Sequence, residues 1–301
     1  MFKTFKEILE YLGQRTAKKT VAVAAAQDAE VLECVITARK MGLADFILTG
    51  EGKKIEAILT GLGAGKGDWE IIDEPDEIKA ARQTMELVAA GKAQTPMKGL
   101  IHTGAFLKQV FNKELGLVAP GALVSQITVT EYPAADRLIL ITDCAINVQP
   151  DYAAKLKIAA NAAKLARDLG LDQPKLAVIA AVETVNPAMD ETIEAAMISK
   201  AAQRGELKGV LVDGPLALDN ALSVDAARTK GIDSPVAGQA DILLMPGLVP
   251  GNVLDKSLRY FGGLKTGSAV MGARVPLIIT SRSDSAENKV HAVALSLLVN
   301  G

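Results

Sequence analysis

Ser281 and Arg282 close the strand-like run VPLIIT and stand directly before a helical pattern, SAENKVHAVALSLLV. A helix N-terminus offers unpaired backbone N–H groups and a partial positive charge, which together suit a phosphate. Arg282 adds a permanent cation whose planar fork matches phosphate oxygens, and Ser281 can donate to a phosphate or carbonyl oxygen. Asp284 and Glu287 stand at the spacing of a helix cap, in which Asp284 is the N-cap and Glu287 completes a capping box. A cap accounts for the carboxylate spacing and leaves the Ser-Arg pair unexplained.

Other polar clusters follow strand-like runs in the same way. IHTGAFLK (101–108) sets His102 and Thr103 at a strand end and Lys108 one turn into the next helix. Lys108 reads as a second cation facing the same anion, or as a solvated lysine behind a capping Thr103. His102 suits a hydrogen-bonding role near the cleft, whereas His291, inside the last amphipathic helix, reads as structural. VDGPLALDNALS (212–223) places Asp213 at a strand end and Asp219 near a helix start. Such a pair can share acid/base work or bind a divalent cation. Equally, Asp213 can brace the Gly214-Pro215 turn while Asp219 serves as an N-terminal helix charge. MPGLVPGN (245–252) offers Gly247, Gly251 and Asn252 before a helix, where backbone can approach a ligand or simply begin the helix. With ITDCAINVQPD (141–151) and VETVNP (182–187) there are six such segments. Ligands in open α/β sheets collect beyond the carboxyl ends of the strands, so six segments there suggest one shared cleft.

Two features invite chemistry and support it poorly. Cys144 could carry an acyl group covalently, although small buried cysteines are commoner than nucleophilic ones. GLGAGKG (61–67) fails the P-loop spacing, because Thr60 stands at the first glycine position and Gly67 at the Ser/Thr position. It reads as a flexible loop.

The elements that must position these groups alternate along the chain. Strand-like runs fall at 21–25, 46–48, 70–72, 99–102, 123–130, 138–142, 175–181, 209–213, 241–245, 268–272 and 276–280, with helical patterns between them, such as 29–41 and 76–90. Pro75 near the start and Gly91 past the end of the latter are the usual signs of helix termini. Phe2, Phe5, Leu9 and Leu12 fall at helical spacing. The pattern predicts an α/β chain with mostly parallel sheets and flanking helices. A domain change is expected near EYPAAD (131–136), with the last strand and helix returning, so that 1–132 plus 277–301 form one domain and 133–276 the other.

Bulk properties narrow the function. The 301 residues are 49% hydrophobic and 23% charged, which is ordinary for a globular protein. A formal charge of −2 argues against nucleic acid as partner. Cys34 and Cys144 have neither disulfide-scaffold nor zinc spacing, which points to the reducing cytoplasm. The N-terminus has charges threaded through its apolar residues, unlike a signal-peptide core. No apolar run approaches the roughly 18 residues of a membrane span.

Taken together, these segments resemble the phosphate acetyl/butyryltransferase family from VAVAAAQDAEVLECVITARKMGLADFILTG through SRSDSAENKVHAVALSLLV. MKGLIHTGAFLKQVFNK and AVETVNPAMDETIEAAMISK are more similar to the butyryl-transferring branch. The resemblance implies the two-domain fold of isocitrate and isopropylmalate dehydrogenases, a site between the domains, and a homo-oligomer. It implies acyl transfer between coenzyme A and inorganic phosphate in a ternary complex, butyryl favoured, with small-molecule substrates and no tightly bound cofactor or metal. Its Ser-Arg pair falls on Ser281 and Arg282. The acetyl-transferring branch has an aspartate, proposed as general base, where this chain has Asn288, and an arginine where it has Lys108. Asp284, Glu287 and His102 are then candidate bases. The competing readings are a phosphate acetyltransferase, a metal- and NAD-dependent hydroxyacid dehydrogenase on the same fold, and a non-catalytic coenzyme A-binding protein.

Overall fold

The computed structural model describes residues 1–65, 67–281 and 284–299. The chain divides into two compact units, Phe5–Ala122 with Gly267–Gly301, and Met1–Thr4 with Leu123–Thr266.

The first unit runs α1 (Phe5–Gly13), β1 (Lys19–Ala24), α2 (Ala29–Lys40), β2 (Ala44–Gly50), α3 (Gly52–Gly61), β3 (Glu70–Asp73), α4 (Glu77–Ala89), β4 (Thr95–Lys98) and α5 (Thr103–Val110). Its sheet has the order β3-β2-β1-β4, and each pairing is parallel. Parallel strands need crossovers, and the apolar faces of α2 and α4 supply them. Asp28 and Asp76 cap these two helices through their carboxylates, accepting from the N–H of Val31, and of Ile78 and Lys79.

The second unit contains β5 (Ser125–Tyr132), β6 (Arg137–Thr142), α6 (Tyr152–Asp168), β7 (Lys175–Ile179), α7 (Asp190–Gln203), β8 (Leu211–Leu216), α8 (Leu218–Leu222), α9 (Val224–Thr229), β9 (Ile242–Leu244) and α10 (Leu248–Tyr260). Strands β5, β6, β9, β7 and β8 lie in that order across its sheet. Only the β5–β6 hairpin in this set is antiparallel. The chain then enters β10 (Thr266–Met271) and ends in α11 (Ala286–Leu298).

Several sequence expectations need correction. The strand expected at 99–102 is instead β4, Thr95–Lys98. Its TPMK sequence carries a proline and a lysine, which argue against a buried strand, yet all four residues are buried. The run 276–280 forms no full strand. It makes isolated bridges, Ile278 to Met97 and Leu277 to Val270, and it is tied to β4 by Lys98 N–H to Ile278 O and Ile278 N–H to Pro96 O, each 2.9 Å. Helix α11 is not amphipathic, because every residue from Lys289 to Leu298 is buried. Such a helix is held on all sides. His291 is structural as expected, stacking on Phe5 with ring centroids 4.0 Å apart. At the far end Lys19 Nζ donates to the carbonyls of Leu297 (2.9 Å) and Val299 (2.8 Å), as a C-terminal cation should.

Candidate active site

In the first unit the carboxyl ends of β1 and β4 and the segment after Ile278 converge on one small crevice. Asp28, Lys98, Gly99, Thr280, Ser281 and Lys289 are among its walls. Gly99 is required there by space. A Cβ on it would lie 2.4 Å from the Ala25 carbonyl oxygen, far inside contact distance. The Ala25 backbone itself has a positive φ of 51°, an uncommon conformation for a residue with a side chain.

Ser281 begins a tight turn. The Ser281 N–H donates to Asp284 Oδ2 at 2.8 Å, and the Asp284 N–H donates back to Ser281 O at 3.2 Å. Arg282 and Ser283, between them in sequence, lie outside the described residues. This geometry corrects the expected cap. The N-cap of α11 is Ser285, whose Oγ accepts the Asn288 N–H at 3.2 Å, so no Asp284–Glu287 capping box forms. The Asp284 carboxylate closes the preceding turn instead. Glu287 is exposed on the first turn, 3.9 Å from His291 Nε2. Asn288 stands beside it, half-buried.

Behind Ser281 lie two side chains that sequence reasoning missed. Lys289 Nζ donates to Asp284 O at 2.5 Å and to Glu30 Oε2 at 2.8 Å. Lys98 Nζ donates to the carbonyls of Gly99 and Ile101, both at 3.2 Å. Lysines are read from sequence as solvated, and nothing in MKG or ENK marks these two as buried. The loop that Lys98 braces leads to His102, the N-cap of α5, which makes no side-chain cap bond. Thr103 is therefore inside the helix and not its cap. Both residues are exposed. Lys108 is also exposed and sits on the last turn of α5, since that helix ends at Val110.

In the second unit the loop after β6 meets the start of α10. Asp143 is buried, and its carboxylate accepts the N–H groups of Ala145, Ile146 and Asn147 as well as Asn147 Nδ2. Asn252 Nδ2 donates to Cys144 O at 3.0 Å, and a Cβ on Gly251 would lie 2.3 Å from Asp143 O. Gly247 is the N-cap of α10. Burial pushes the Cys144 thiol far above its ordinary value, which disfavours the nucleophilic thiolate.

Asp213 and Gly214 are placed elsewhere. They lie within β8 and not at its end, with β7 between them and β9. Asp213 Oδ1 accepts the Gly214 N–H at 2.9 Å, the bracing role. Asp219 belongs to a different cluster, in which Lys230 Nζ bridges it (3.1 Å) to Glu183 (3.1 Å). Hydrogen bonds from Lys230 hold both carboxyls below their ordinary range. Glu183 also accepts from the buried Asn220 Nδ2 at 3.2 Å. Among the described residues no three His, Cys, Asp or Glu side chains gather as a metal site.

Comparison with known proteins supplies what these contacts alone do not. Residues 68–297 match the family described as phosphate acetyl/butaryl transferase. Phosphate butyryltransferase of Clostridium acetobutylicum is 46% identical over 301 residues, covering 100% of this chain and 99% of the relative. The crystal structure of a branched-chain phosphotransacylase from Enterococcus faecalis superposes with a TM-score of 0.84 at 34% identity, covering 93% of this chain and 98% of that one. A 4-hydroxythreonine-4-phosphate dehydrogenase from Klebsiella pneumoniae has a TM-score of 0.58 at 15% identity, covering 94% and 99%, which shows a dehydrogenase-like fold and nothing further. The chain belongs to the phosphate acetyl/butyryl transferase family.

Proposed function

We propose that the protein transfers a short acyl group between coenzyme A and inorganic phosphate, with butyryl favoured. Whole-length identity of 46% to a phosphate butyryltransferase carries this reading. Ser281, placed by a clasped turn at the entrance to α11, supports it.

In the forward direction a phosphate oxygen attacks the thioester carbonyl, and collapse of the tetrahedral intermediate breaks the C–S bond. With hydrogen phosphate as nucleophile, the proton it loses is the one the departing thiolate gains. The transfer needs no net base, so the neutral amide of Asn288 is compatible with turnover. Positioning of an already anionic nucleophile is the larger task. Arg282 and the N–H groups opening α11 are assigned to the phosphate, and Ser281 to the carbonyl oxygen as it becomes an oxyanion. Direct transfer in a ternary complex is part of the proposal. The exposed residues His102, Thr103 and Lys108 are assigned to the substrate, and Gly247, at the N-cap of α10, to coenzyme A. Branched and acetyl chains are the competing substrates, since the family and the Enterococcus faecalis relative are described by them.

A homo-oligomer in the cytoplasm completes the reading. Val249, Val253 and Tyr260 lie on one face of α10 and are exposed, as is the adjoining Phe261, an apolar surface of the sort a second subunit covers. No described helix is long and apolar enough to cross a membrane.

Thiol release from acetyl-, butyryl- and isobutyryl-coenzyme A, with and without phosphate, tests the substrate assignment. Butyryl-coenzyme A should give the highest kcat/KM. A maximum at acetyl would reassign the chain preference.

A further inference from the structure

Lys98 and Lys289 are 5% and 2% exposed. Ammonium groups that deep persist only when their donors are engaged. Lys98 Nζ donates to Gly99 O and Ile101 O, and Lys289 Nζ to Asp284 O and Glu30 Oε2, so both ammonium groups brace the protein's own loops.

The contacts name the target. Lys289 Nζ holds the Asp284 carbonyl, the Asp284 carboxylate holds the Ser281 N–H, and Glu30 on α2 holds Lys289 from behind. This is a continuous chain, Glu30–Lys289–Asp284–Ser281, from a rigid helix to the candidate reacting group. Lys98 makes the equivalent tie to the loop ahead of His102 through Gly99 O and Ile101 O.

We infer, on the acyltransfer reading above, that Lys289 is a positioning residue that fixes Ser281 by clamping the Asp284 carbonyl. An apolar residue of similar length would fill the space but take the Nζ donor away from that carbonyl. The turn would then relax. A displacement of about 1 Å at a reacting centre costs on the order of 100-fold in rate.

The test compares wild type with Lys289→Met, Lys289→Arg and Glu30→Gln for phosphate-dependent thiol release from butyryl-coenzyme A, alongside thermal unfolding. Lys289→Met should lose ~100-fold in kcat, with KM for acyl-coenzyme A within about threefold of wild type. Lys289→Arg should recover part of that loss. Glu30→Gln, at a side chain 61% exposed, should fold normally and lose a smaller factor, roughly tenfold. A folded Lys289→Met with wild-type kcat overturns the inference. If Lys289→Met does not fold, Glu30→Gln decides, and wild-type kcat there overturns it. A wild type that releases no thiol with phosphate overturns the acyltransfer reading, and the inference with it.

Discussion

At the residue scale, the structure separates reactive side chains from those that shape the backbone. Cys144 is buried with its thiol pushed up, and burial likewise raises the Cys34 thiol to about 12. Neither is a useful nucleophile near neutral pH. Native protein should therefore resist a thiol-modifying reagent and titrate both cysteines only on unfolding. Cys144→Ala should keep phosphate-dependent turnover within about threefold of wild type. A burst of acyl-enzyme on Cys144 would contradict this. Ser281 stands out in sequence because a Ser-Arg pair before a helix has no simple structural explanation, and the structure sets it in the crevice beside Lys98 and Lys289. The role of Asp284 was not legible, since an aspartate near a helix start can cap the helix or close the turn before it. Only the geometry chooses, and Asp284 accepts from Ser281 N–H while Ser285 caps α11.

At the element scale, most strands were legible from β-prone runs bounded by turn residues, and β4 was misplaced because TPMK lacks that signature. Its identity comes from neighbours that sequence does not pair, β1 on one side and the 276–280 segment on the other. The same lesson applies to Gly251. Read from sequence, it is a place where a ligand can approach. In the structure the Asp143 carbonyl occupies that space. Gly251→Ala should therefore destabilise the protein by about 1–3 kcal/mol even without substrate, measured by urea unfolding. A stability equal to wild type would show that packing does not require the glycine. The end of α11 offers a parallel case. Lys19→Met removes the cation on the Leu297 and Val299 carbonyls, and should cost on the order of 1 kcal/mol in the same experiment.

At the scale of the whole molecule, stability has an acid-sensitive component in the Glu183–Lys230–Asp219 cluster. Hydrogen bonds from Lys230 depress both carboxyls in the folded state. Groups with lowered folded values contribute stability above their unfolded values and lose it as pH falls through the folded ones. Lys230→Met should accordingly be less stable than wild type above roughly pH 5, and the gap should close below the ordinary carboxylate range of about 4. A gap that grows on acidification would contradict the assignment. The alternating α/β architecture and the family resemblance both extend along the chain, which is why the fold class is legible in the sequence. Butyryl-coenzyme A is incubated with the enzyme, and free thiol and acyl phosphate, trapped by hydroxylamine as the hydroxamate, are quantified together. Thiol should appear only when phosphate is present, with one acyl phosphate per thiol. Thiol released equally without phosphate, or no thiol at all, would contradict the account.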